Sequence, residues 1–303
     1  MSEPSTELHI TEFNSNRATT KQFLRLLVTA KLLTISPMCL ILFSHHAESR
    51  FPLVVAANRD ELYSRPTRPA DFWPDSETAT AVFANKDLLA GKDLLAGGTW
   101  LGVTRSGRFA AVTNIRDPSQ AEQKARSRGE LTLGFLQDSS SPGEFSAQVQ
   151  SRFGEYAGFN LLVGDRESMY YLNNFENVRE ELAPGIYGLS NGLLNSPWPK
   201  VERGRALLTQ MLDADHAPDT DKLLRMMNDR TEAADAELPD TGVPRALERI
   251  LSSSFIYNPE RSYGTLCSTA IILDAKGSCR FAEQNYNAKG RPTAAQYYEF
   301  DMK

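Results

Sequence analysis

Cysteine is scarce in this chain. Cys39, Cys267 and Cys279 are the only three in 303 residues, too few for a disulfide framework and without the paired spacing of a zinc site. That usage fits a reducing compartment, and a cytoplasmic location is expected. Histidine is almost as rare, with His9, His45, His46 and His216 the full set. No apolar stretch reaches the roughly 20 residues that cross a bilayer as a helix, so no stable membrane span is expected. No long basic stripe accompanies the net charge of -5, which argues against nucleic acid as a partner. What remains is ordinary globular composition, 41% hydrophobic and 23% charged, with length for one large domain or two ordinary ones.

Residues 1–37 stand apart. Arg17, Lys21, Arg25 and Lys31 fall in a stretch without acids, and two of them interrupt the apolar part, which makes a poor secretory core. The segment is expected to be an N-terminal extension: disordered, cleaved, or a start site placed too early. Residues 38–303 then form one domain, since nothing in them marks a linker.

Along that domain, apolar runs at 39–43 and 53–57 predict two strands joined by a polar turn at 44–50 that holds His45 and His46. The proline-rich stretch 63–73 reads as an ordered loop. A hexapeptide, Lys-Asp-Leu-Leu-Ala-Gly, occurs twice in tandem at 86–91 and 92–97. Two copies are too few for a solenoid and read as local duplication or coincidence. A hairpin is predicted from 97–104 into 109–114, and another from 158–163 into 168–173, with a further strand at 185–190. Helical spacing marks 128–153, broken at 139–143, then 198–212, 221–228 and 246–252. Strands return at 268–274 and 278–285. Strands, then helices, then strands predict a layered α+β architecture with a largely antiparallel sheet.

The chemistry centres on Met38-Cys39. If translation starts at Met38 and the Met is trimmed, Cys39 carries a thiol and a free α-amine. The amine, with a pKa of about 8, can accept the thiol proton, so no separate histidine is needed. Such a site still requires a cation for the thiolate, a carboxylate to orient the amine, and donors for an oxyanion. Pairing of the first two strands brings Arg59 and Asp60 near Cys39, and Asn114 and Asn191 each end a predicted strand. Taken alone, each has an ordinary reading: a buried inert cysteine, a structural ion pair, turn asparagines.

Several motifs together resemble one family. They are Met38-Cys39, Ala57-Asn58-Arg59-Asp60-Glu61, Tyr63-Ser64-Arg65-Pro66, Gly97-Gly98-Thr99-Trp100-Leu101-Gly102, Thr113-Asn114, Ser127-Arg128-Gly129-Glu130, Leu189-Ser190-Asn191 with Pro197-Trp198-Pro199-Lys200, and Tyr263-Gly264-Thr265. The chain resembles the NRDE family, also called the transport and Golgi organisation protein 2 family, from Met38 to about Asn285. The resemblance implies an N-terminal-nucleophile hydrolase-like fold, a four-layer αββα sandwich with two antiparallel sheets between helical layers. It also implies a cysteine amidohydrolase-like site, similar to those of choloylglycine hydrolase and penicillin V acylase. Cys39 would be the nucleophile, Arg59 the thiolate partner, Asp60 the holder of the amine, and Asn114 and Asn191 the oxyanion donors. The chain departs at Leu266, where the family commonly has Arg, and Arg261 is the nearest substitute.

Two functions follow. One is hydrolysis of a small-molecule amide, with no cofactor required. The other, which the resemblance also implies, is non-catalytic trafficking of haem or of lipid/acyl-CoA cargo; a haem would take Cys39 or the His45-His46 pair as axial ligands.

Overall fold

Strand β1 (Met38–Glu48) is buried continuously from Met38 to His45 rather than on alternate residues, the pattern of a strand covered on both faces. A computed structural model describes residues 38–74, 87–116, 124, 126–213 and 217–303. The extension 1–37 with His9, and Lys86 and His216, lie outside the described residues.

The chain continues through β2 (Phe51–Leu62), β3 (Thr67–Phe72), β4 (Leu88–Asp93), β5 (Leu101–Thr104) and β6 (Phe109–Asn114). Helices α1 (Gly129–Gln137) and α2 (Pro142–Gln150) follow. Next come β7 (Phe159–Gly164), β8 (Met169–Asn173), β9 (Val178–Glu181) and β10 (Gly185–Leu189). Helices α3 (Pro199–Leu212), α4 (Thr220–Met226) and α5 (Arg245–Ile250) precede the last strands. These are β11 (Tyr257–Asn258), β12 (Tyr263–Leu273), β13 (Ser278–Tyr286) and β14 (Pro292–Asp301).

The strands make two antiparallel sheets. One runs β10-β1-β2-β12-β13-β14, with β11 on β12; the other runs β3 to β9 in chain order. Alternate residues of β1 and β2 divide between two cores. Ile41, Phe43, Val55 and Ala57 pack toward the second sheet, against Leu89, Leu101 and Leu162. Leu40, Leu42, Val54 and Ala56 pack against Val201, Leu208 and Leu223 of α3 and α4. A third core lies between the outer face of the second sheet and α1 and α2. The expected α+β class therefore holds, as a sandwich of two antiparallel sheets flanked by helices.

Most predicted elements are present, with differences that have physical causes. The first hairpin is longer than its apolar runs suggest: its turn is Ser49-Arg50, and Ser44 to Glu48 remain in β1. His45 is consequently a buried strand residue, not part of an exposed turn. Strands β9 and β14 carry mostly exposed side chains, so neither has an apolar alternation to betray it. Strand β3 forms within the proline-rich stretch, at the edge of its sheet, where proline is tolerated.

The tandem hexapeptide takes two conformations. In the first copy Leu88, Leu89 and Ala90 are buried in β4. In the second, Leu94 and Leu95 are 53% and 69% exposed, in a turn that closes at Gly97 with φ +78. Its Asp93 Oδ1 accepts from the backbone N–H groups of Leu95 and Ala96.

Candidate active site

The register of β1 against β2 sets the site. Cys39 lies opposite Arg59, and Met38 opposite Asp60. Residues directly opposed share a face and neighbours along a strand alternate, so Cys39 and Arg59 face the second sheet while Met38 and Asp60 face the helices. The four signature residues divide the same way. Asn58 on the helical side donates to the carbonyls of Met227 and Ser254 at 2.8 and 2.7 Å and accepts from Ser268 Oγ at 2.6 Å. Arg59 on the inter-sheet side donates to Thr67 Oγ1 at 2.7 Å and lies 3.4 Å from Asp93 and 3.9 Å from Glu61. Asp60 accepts from Thr265 Oγ1 at 2.7 Å. Arg65 closes the ion cluster, 2.8 Å from Asp93 and 3.5 Å from Glu61.

Asn114 and Asn191 come together at one end of the sandwich. Asn191 Nδ2 donates to the Asn114 carbonyl at 2.9 Å, and the Arg116 N–H donates to the Asn191 carbonyl at 2.7 Å. Thr113 Oγ1 donates to the Ser190 carbonyl at 2.6 Å, and Ser190 Oγ to the Cys39 carbonyl at 2.9 Å. The ends of β6 and β10 are thus tied to each other and to residue 39. One of the two Asn191 amide hydrogens serves this tie.

With Met38 attached, Cys39 is buried, and its thiol is pushed up to about 12, first by burial and then by Asp60, with Arg59 opposing. The Met38 N–H donates to Tyr263 Oη at 2.8 Å. Asp60 is raised and Lys200 lowered, each first by burial. Burial also raises Glu61, and it lowers Arg128, which Cys39 and Glu61 offset in part.

Glycines set two of the motifs. A Cβ on Gly98 would lie 2.6 Å from the Gly129 carbonyl oxygen, so these two glycine motifs meet backbone to backbone and fix Arg128 beside the site. A Cβ on Gly264 would lie 2.2 Å from Tyr63 Oη and 2.6 Å from the Ile256 carbonyl. Leu266 sits in the bulge of β12 between Thr265 and Cys267, half-buried. Arg261 lies in the short turn before β12.

Arg116, Lys200, Tyr263 and Glu248 also gather around Met38 and Asp60, and none of them is a candidate on sequence alone. Lys200 and Tyr263 belong to motifs already singled out, which was a usable signal. Arg116 and Glu248 carried none, because their pairing at 2.7 Å joins residues 132 positions apart. Among the described residues no group of three or more His, Cys, Asp or Glu side chains is arranged to hold a metal ion. No helix among them is long and apolar enough to cross a membrane.

Residues 38–288 match the family model described as Transport and Golgi organisation 2. The chain is 34% identical over 282 residues to the Transport and Golgi organization 2 homolog of Mus musculus, covering 88% of this chain and 100% of that protein. To the Transport and Golgi organization protein 2 of Drosophila melanogaster it is 24% identical over 267 residues, covering 82% and 92%. Among solved structures, a mutant conjugated bile acid hydrolase from Clostridium perfringens aligns over 87% of this chain and 92% of its own, at 12% identity and a TM-score of 0.46. That score is too low to decide fold or activity.

Proposed function

The chain belongs to the Transport and Golgi organisation 2 family, and from that premise we propose that it has an N-terminal-nucleophile hydrolase fold and an amidohydrolase-like site built on Cys39. The observation that carries the reading is the register: Cys39 opposite Arg59, with Asp60 one residue along. In this reading Met38 and everything before it are absent from the working protein. The free α-amine of Cys39 takes the thiol proton. The thiolate, steadied by Arg59, attacks the carbonyl carbon of a small-molecule amide, while Asp60 holds the protonated amine. Asn114 and Asn191 donate to the oxyanion; the α-ammonium gives its proton to the substrate nitrogen, the C–N bond breaks and the product amine departs, and water then attacks the thioester, breaking the C–S bond to give a carboxylic acid and return the proton to Cys39.

Two measurements test this. Intact mass of the protein isolated from its cells should give Cys39 as first residue, and that protein should hydrolyse members of a fluorogenic amide panel. Cys39→Ala should abolish turnover while leaving the melting temperature within a few degrees. A retained Met38 in active protein, or full activity in Cys39→Ala, sinks the reading.

One observation weighs against catalysis in protein that keeps Met38, and leaves the alternative there of a carrier of haem or of lipid/acyl-CoA cargo. With Met38 attached the thiol is buried and held protonated, and the amine is bound up in a peptide. A Soret titration of wild type beside Cys39→Ala separates the two: haem binding lost in the variant makes Cys39 an axial ligand, and no binding removes haem as cargo.

A further inference from the structure

Three buried side chains at the Met38 end of β1 carry polar atoms that no hydrogen bond satisfies. Among the described residues, Lys200 Nζ, Arg116 Nε and Nη2, and Asp60 Oδ2 have no hydrogen-bond partner. Lys200 and Asp60 are fully buried and Arg116 nearly so. Such groups are normally hydrogen-bonded, and an unpaired buried one signals a ligand, an ion or water.

Their placement converges. Arg116 follows Asn114 by two residues and is anchored through its backbone to Asn191. Its Nη1 is used by Glu248 at 2.7 Å, and its guanidinium lies over the Trp198 ring at 4.5 Å. Lys200 stands in the first turn of α3, two residues after Trp198, and α3 packs on β1 and β10. Both cations interact with Asp60, and Lys200 with Cys39. An ammonium offers three N–H donors, and the unused guanidinium nitrogens add more. Against that surplus the same three side chains offer one idle acceptor, Asp60 Oδ2. A ligand for this place must therefore bring acceptors and negative charge. The N-terminus of α3 adds the same preference.

We propose that Arg116 and Lys200 form an oxyanion subsite beside Cys39, which holds a carboxylate or phosphate group carried by the substrate. The inference rests on the amidohydrolase reading, because Met38 occupies the approach. Met38 is buried opposite Asp60, on the face where the unpaired atoms lie, and its N–H is taken by Tyr263. Departure of Met38 frees that space and leaves the donors in place.

The protein is purified as its cells make it, and its first residue is read by intact mass, which tests the amidohydrolase reading separately. Trp198 fluorescence is then titrated with acetate, glutarate and inorganic phosphate at constant ionic strength in chloride, with Trp198→Phe to assign the signal. Saturable binding of at least one oxyanion is expected. Lys200→Met and Arg116→Met should each weaken it ten-fold or more, and Arg116→Lys should restore part of the loss. The arm that saturates at lowest concentration distinguishes carboxylate from phosphate. In protein that begins at Cys39, no saturation with any oxyanion overturns the subsite, as does unchanged affinity in Lys200→Met with its melting temperature preserved. Cys39→Ser should keep oxyanion binding even with hydrolysis absent. Conversely, hydrolysis that ignores both a carboxylate and a phosphate on the substrate leaves the hydrolase reading standing and removes the subsite.

Discussion

At Cys39 the thiol proton is held by burial, and the one adjacent cation does not overcome it. Protein retaining Met38 should alkylate slowly with iodoacetamide at pH 7, with a rate rising about ten-fold per pH unit because only the thiolate reacts. Protein beginning at Cys39 should react at least about 100-fold faster at pH 7; equal rates would separate reactivity from the amine. Asn191→Ala removes a buried bond to the Asn114 carbonyl and should cost about 1–3 kcal/mol in a urea titration. The signature tetrad was legible in the sequence because its residues are contiguous and alternate across one strand. The buried cations were not legible, since nothing local distinguishes Arg116 from a solvated arginine, and the groups it contacts, Glu248 and Trp198, are distant in the chain.

Among the elements, helix α2 has the cleanest local specification. Ser141 caps it, with Pro142 at its first position and Glu144 completing a capping box. Ser141→Ala should lower stability by about 1 kcal/mol in chemical denaturation. The Gly98 contact is less forgiving. Its missing Cβ makes room for backbone, which cannot rotate away, so Gly98→Ala should cost about 2 kcal/mol or more in a urea titration and shift the loop that carries Arg128. Unchanged stability would show that the two loops separate without consequence. Hairpins and helices were readable where turn chemistry and periodicity coincide, as in β5–β6 and in α3. Strand β14 was not, because its register is supplied by pairing with β13 and its side chains are mostly in water.

For the molecule as a whole, His45 links stability to pH. Burial and then the neighbouring His46 lower it to about 4, with Asp165 and Glu181 opposing. The unfolded chain takes up this proton near pH 6.5, so between those values the unfolded state binds more protons. Stability should therefore fall as pH drops from about 6.5 to 4, by on the order of 1–2 kcal/mol after allowance for solvent screening. His45→Gln should flatten that part of the urea midpoint against pH; an unchanged slope assigns the effect to other groups. The layered α+β organisation was legible from the order of elements, but the division of residues between two sheets was not, because the first sheet pairs β2 with β12, strands from opposite ends of the domain.

The repeated hexapeptide has a consequence of its own. Because six is an even number, sliding the chain by one repeat would put Leu94-Leu95-Ala96 into the slot of Leu88-Leu89-Ala90 with every side chain still on its proper face. Two copies of one key thus compete for a single lock, and only what surrounds them names the winner: Asp93 reaching Arg59 and Arg65, and the turn closed at Gly97. Leu94→Asn would make the copies unequal. It should leave the native fold untouched and raise the amplitude of the fastest phase in stopped-flow refolding; an unchanged amplitude removes the competition between the copies.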